Sequence, residues 1–129
     1  MTDAVADMLT RIRNAGLARK AKVDVPATRM TEALAKVINQ NGYINDYRIK
    51  IEGKRRLLEI DLRYVNNLAA ISGSKRESRP SQRVYVRTSK LPRVLAGRGM
   101  AIVSTTKGIM TGEAAKKQNL GGELVCSIW

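Results

Sequence analysis

The stretch Tyr47-Arg48-Ile49-Lys50-Ile51-Glu52-Gly53-Lys54-Arg55-Arg56-Leu57-Leu58-Glu59-Ile60-Asp61-Leu62 decides the fold. Tyr47, Ile49 and Ile51 place apolar side chains at every second position, and after Glu52-Gly53-Lys54 the alternation resumes at Leu58, Ile60 and Leu62. A period of two is the signature of a strand, and a glycine-bearing break of this length joins two antiparallel strands. The segment therefore reads as a β-hairpin with one apolar face.

Upstream the period changes. Val5, Met8, Leu9 and Ile12 recur at helical spacing, with Thr2 or Asp3 available as a cap and Gly16 as the expected stop. Val23-Asp24-Val25-Pro26 reads as extended. Thr28 then caps a second helix with the apolar face Met30, Leu34, Val37 and Ile38, stopped by Gly42. Downstream, Asn66-Asn67 breaks the pattern and is the expected boundary between an N-terminal α/β subdomain, residues 1–65, and a C-terminal one, residues 66–129.

The second half reads as short strands near Leu68 to Ser72, Arg83 to Arg87, Met100 to Ser104 and Glu123 to Trp129. Between them fall a polar basic loop from Gly73 to Ser81, a brief helix from Ser89 to Leu95, and a capped helix from Thr111 to Asn119 that ends at Gly121-Gly122. On the last strand Leu124, Cys126 and Ile128 point inward. The fold class is α+β: two small packed subdomains, the second a short-stranded, mostly antiparallel sheet with short helices.

Composition removes several classes of function. Hydrophobic residues make up 43% of the 129, enough to fold, and the chain has no His and one Cys. Cys126 can form no internal disulfide and zinc has no ligand set, so neither metal nor cofactor is expected. No apolar run approaches the roughly 18 residues of a membrane span, and Met1 to Thr10 carries two Asp and no basic segment. A reducing, cytoplasm-like compartment follows as the expectation. Gly97-Arg98-Gly99 lacks the third glycine of a dinucleotide fingerprint, since position 102 is Ile. Ser104 and Lys107 match Ser-x-x-Lys, the nucleophile pair of an acyl-transfer enzyme, without the companion motifs of such enzymes. No catalytic residue and no small-molecule substrate is assigned.

The charge points elsewhere. Between Asn66 and Gly112 stand nine Lys or Arg against one acid, Glu77, within a net charge of +13 for the chain. They are interleaved with apolar residues, so the surplus belongs to a folded module whose partner is a polyanion. Ser104-Thr105-Thr106-Lys107-Gly108 sets three hydroxyls, a mobile cation and a glycine in a row, a set suited to base edges, ribose hydroxyls and phosphates of an irregular RNA. Tyr85 shares a strand face with Arg83 and Arg87, an arrangement for stacking a base between phosphate-holding guanidiniums. Arg76 and Arg79 are further phosphate candidates, and Gly121-Gly122-Glu123 opens the next strand. A DNA-binding architectural module is the competing reading. Lys54-Arg55-Arg56 is read as keeping a sheet edge soluble.

Over its whole length the chain resembles the ribosomal protein eight family of the small subunit, bacterial type. The resemblance rests on Ala6-Asp7-Met8-Leu9-Thr10-Arg11-Ile12-Arg13-Asn14, on Ser78-Arg79-Pro80 with Arg83-Val84-Tyr85, on Gly97 through Thr111, and on Gly121-Gly122-Glu123-Leu124-Val125-Cys126. It implies a two-part protein that binds the central domain of the small-subunit ribosomal RNA early in assembly and stays beside neighbouring ribosomal proteins, in the ribosome of a cytoplasm or an organelle. It assigns most RNA binding to the second half, through the loop at Ser104 to Gly108 with help from Tyr85 and Glu123. Some bacterial members also bind the messenger of their own operon, which raises feedback repression as a further role. Thr106 stands where the family usually has Ser, and Arg98 where an apolar residue is common.

Overall fold

In the computed structural model, which describes residues 3–92, 94 and 98–129, the chain divides into two compact units, one reaching Ser72 and the other starting at Gly73. The division thus falls after Asn66-Asn67. Those two residues, both with positive φ, form the tip of a small hairpin, β4 (Tyr64–Val65) and β5 (Leu68–Ala69), inside the first unit.

The first unit contains α1 (Ala4–Leu17), β1 (Lys22–Pro26), α2 (Arg29–Gln40), β2 (Ile44–Glu52) and β3 (Arg55–Leu62). The three strands form an antiparallel sheet in the order β1-β3-β2. The central strand β3 buries Leu57, Leu58, Ile60 and Leu62, and the core is completed by Met8 and Ile12 of α1 and Leu34 and Ile38 of α2. Ile49 and Ile51 depart from the expected apolar face, at 39% and 67% exposed. Ile51 pairs with Arg56 beside the turn at Gly53, at the far end of the ribbon where cover is least.

The caps explain the helix ends. Asp3 accepts from the Ala6 amide at the start of α1. Thr28 and Thr31 form a reciprocal box at the start of α2, and the buried Thr31 hydroxyl also donates to the Pro26 carbonyl at 2.9 Å. Gly42, at φ +79°, closes α2 as expected. Gly16 does not end α1. The helix runs one residue past it, and Arg19 at φ +56° takes the left-handed position while the Lys20 amide bonds back to the Ala15 carbonyl at 2.9 Å. Gly16 serves contact instead, because a Cβ there would sit 3.3 Å from the Ala69 side chain.

The second unit is built on β6 (Ser74–Arg76), β7 (Tyr85–Val86), β8 (Met100–Thr105), β9 (Gly108–Thr111), α3 (Gly112–Lys117) and β10 (Gly122–Ile128). β10 is central: β8 lies on one side of it, with β9 beyond, and both β6 and β7 pair with the other side. One face, carrying Ala101, Val103 and Leu124, packs under Leu91 and Ala115. A bulge between Leu124 and Cys126 shifts the register, so Val125 adds to a run of five buried residues in place of strict alternation.

Three local readings change. Ser74 to Arg76, expected within a loop, is an edge strand held by Cys126 to Ile128, and its polar sequence shows no alternation because only pairing defines it. α3 is stopped by Asn119 at φ +56°, so Gly121 and Gly122 are not its cap. The expected helix from Ser89 to Leu95 is observed as a single 3-10 turn over Thr88–Lys90, while Arg93 and Leu95, like Thr2 and Gly97, lie outside the described residues.

Candidate RNA interface

β8 and β9 make a hairpin in which Thr105 faces Gly108 and Thr106-Lys107 is the tip, so the expected hydroxyl loop is an exposed corner of the sheet. Gly108 has φ +111°, and nothing lies within 4 Å of the point a Cβ would occupy, which leaves its backbone open to close approach. The three hydroxyls are not equivalent. Thr105 Oγ1 accepts from the Lys107 amide at 3.1 Å and donates to the Gly108 carbonyl at 2.9 Å, so it staples the turn. Thr106 and Lys107 are thereby presented outward on a tip that is already ordered.

The sheet register brings three other residues together. Tyr85 pairs with Glu123, and Glu123 pairs with Ser104, so these side chains form a row on one face across β7, β10 and β8, ending beside the hairpin tip. Residues from positions 85, 104 and 123 thus share one surface. Tyr85 is 72% exposed, while its neighbours Val84 and Val86 turn into the core. Its ring is therefore open for stacking. Gly122 permits the arrangement, since a Cβ there would fall 2.1 Å from the Ser104 carbonyl oxygen.

Glu123 is the electrostatic centre of the row. Burial opposes its ionisation, but hydrogen bonds from Ser78 and Arg83, with the charges of Arg83 and Arg76, outweigh that and hold its pKa below the ordinary carboxylate value. Ser78 Oγ donates to the carboxylate at 2.5 Å and Arg83 at 3.0 Å, while the buried Ser78 hydroxyl also accepts from the Val84 amide at 3.1 Å. A fixed, ionised acceptor amid cations repels bare phosphate and favours a donor such as a ribose hydroxyl or a base amino group.

The candidate cations divide into two kinds. Arg83 is engaged with Glu123, and the half-buried Arg76 donates to the Val125 carbonyl at 2.6 Å, clamping the bulge of β10. Arg79, Arg87 and Lys107 are exposed and make no ion pair among the described residues. They are the groups available for phosphate. Ser78 is the residue that sequence reasoning missed, because its partners stand 6 and 45 positions away. Cys126 is buried, and desolvation pushes its thiol pKa up to about 12, consistent with a packing role.

The family model described as ribosomal protein S8 matches residues 3–129. The chain belongs to the ribosomal protein S8 family. Its relatives in that family include small ribosomal subunit protein uS8 of Caldicellulosiruptor bescii, 50% identical over 98% of this chain and 97% of the relative. The proteins of the same name from Vesicomyosocius okutanii and Solibacter usitatus are 49% and 46% identical over essentially full length. Members of the ribosomal protein S8 family are structural proteins and not enzymes, so the acyl-transfer reading of Ser104 and Lys107 falls away. Among the described residues no acidic, Cys or His cluster could hold a metal, and no helix is long and apolar enough to cross a membrane.

Proposed function

We propose that this chain is a structural component of the small ribosomal subunit that binds the central domain of its ribosomal RNA directly and helps that domain assemble. The observation that carries the reading is the row Tyr85-Glu123-Ser104 running into the Thr106-Lys107 tip, within a tract that holds most of the surplus charge. Phosphate contacts by Arg79, Arg87 and Lys107 would supply affinity and its salt dependence. Readout would come from Tyr85 stacking and from short hydroxyl and carboxylate groups, which reach an irregular helix but not the floor of a regular duplex groove.

A footprint this small needs only a short folded RNA, so a messenger presenting the same irregular helix would compete for it, which is the basis for autogenous repression as a second role. The test is competition at one fixed salt concentration between a central-domain rRNA fragment, a random RNA and duplex DNA. The proposal expects the fragment to win by at least tenfold. Equal competition by duplex DNA would favour a general architectural protein.

A further inference from the structure

The first unit carries an exposed apolar surface that includes none of the residues assigned to RNA contact. Tyr64 and Ala69 form the inner side of the β4–β5 ribbon: Ala69 abuts Gly16, and the Tyr64 hydroxyl donates to the Lys20 carbonyl at 2.6 Å. The cross-strand pair Val65 and Leu68 must then face outward. They are 48% and 69% exposed, and Leu17, next to Gly16 at the end of α1, is 74% exposed. Half of the six large hydrophobic residues exposed on the described surface therefore gather at one corner.

The surrounding charge is one-sided. Arg13 lies one helical turn before Leu17, Arg19 and Lys20 follow it, and Arg63 precedes the ribbon. There is no acid between Met8 and Val23, nor between Leu62 and Arg76. Elsewhere in the same unit Arg11, Lys22, Arg48, Lys50 and Arg56 each pair with a carboxylate. Among the described residues these four make no such pair.

We infer that this corner docks a protein neighbour in the small subunit, one offering an apolar pocket for Leu17, Val65 and Leu68 inside an acidic rim. The aliphatic side chains decide between protein and RNA. They have no π face on which a base could stack, and they gain nothing against phosphate, whereas an apolar centre with a charged rim is the anatomy of a protein interface. Complementary acids on the partner answer Arg13, Arg19 and Lys20, while Arg63 already donates to the Gly42 carbonyl at 2.6 Å. The inference rests on the ribosomal reading for the setting, and the assays separate the two.

The test uses small subunits isolated from cells producing the chain with a photo-reactive benzophenone amino acid in place of Leu68. Irradiation should join it to one ribosomal protein through a peptide containing Asp or Glu beside apolar residues. A cross-link to rRNA alone, or none at all, overturns the inference. In parallel, the double variant Leu17→Ser, Leu68→Ser should bind the rRNA fragment within twofold of wild type while the cross-linked partner's occupancy in salt-washed subunits falls at least fivefold. Equal losses in both assays would assign the corner to RNA and refute the proposal. Failure of the wild-type chain to bind the fragment would instead strike the ribosomal reading.

Discussion

Ser78→Ala removes a buried hydroxyl that serves two partners at once, donating to the Glu123 carboxylate and accepting from the Val84 amide. A hydrogen bond to a charged group contributes about 1.5–3 kcal/mol and a neutral one about 0.5–1.5, and the variant leaves both partners without a replacement. The expected loss is therefore about 2–4 kcal/mol, a large part of the roughly 5–15 kcal/mol that holds a small protein folded. With a urea slope of about 2 kcal/mol/M, the unfolding midpoint should fall by about 1–2 M. The pH dependence should move too. Glu123 has a depressed folded pKa, so its contribution is present above the unfolded carboxylate pKa and lost as pH falls through the folded value. Without the Ser78 donor that folded value moves back toward the unfolded one, so the part of the stability that Glu123 loses in acid should shrink while its onset stays at the unfolded carboxylate value. At neutral pH, with the variant still folded, rRNA affinity should also drop, because Glu123 loses one of the donors that aim it. A midpoint shift below about 0.3 M would refute the reasoning, since it would mean that water or a rotated neighbour satisfies both partners.

Thr106→Val should weaken rRNA binding by about 1 kcal/mol without changing the urea midpoint, whereas Thr105→Val should lower both, because only Thr105 staples the turn. Arg79→Ala should flatten the plot of log affinity against log salt by up to about 0.9 unit, read by filter binding across a salt series. Arg76→Ala should leave that slope alone and lower stability instead, since its guanidinium is bonded to the Val125 carbonyl. On the first unit, hydrogen bonds from Arg48 hold the pKa values of Glu59 and Asp61 below their ordinary range. Their contribution is present above the unfolded carboxylate values near 4 and is lost as pH falls through the lowered folded values, so thermal melts should drop as pH is taken below about 5, less steeply in high salt.

Elements defined by their own side chains were legible in the sequence. The β2–β3 hairpin announces itself through a period of two, and α1 and α2 through helical spacing and the caps offered by Thr2 or Asp3 and by Thr28. Elements defined by a distant partner were not. Ser74 to Arg76 is polar at every position and becomes a strand only because Cys126 to Ile128 pairs with it. Gly16 reads as a stop by itself, yet its role comes from Ala69, 53 residues later. The same division runs through the candidate site. The hydroxyl run at the hairpin tip and Tyr85 between two arginines stand out locally, while Ser78 is one serine in a basic tract until the fold sets it between Glu123 and Val84. Arg76 and Arg79 look alike in sequence, and only the bulge at Val125 distinguishes a structural clamp from an available cation.

The proposed recognition requires the β8–β9 tip to meet one irregular region of RNA. Cys126 is buried with its thiol pKa pushed up to about 12, so a cysteine introduced by Thr106→Cys can be labelled selectively with an iron chelate. In the complex with the small-subunit central domain, hydroxyl radicals released there should cut the RNA at a single internal loop and its flanking pairs. Cleavage spread evenly along regular helices, or no cleavage above that of free RNA, would contradict it.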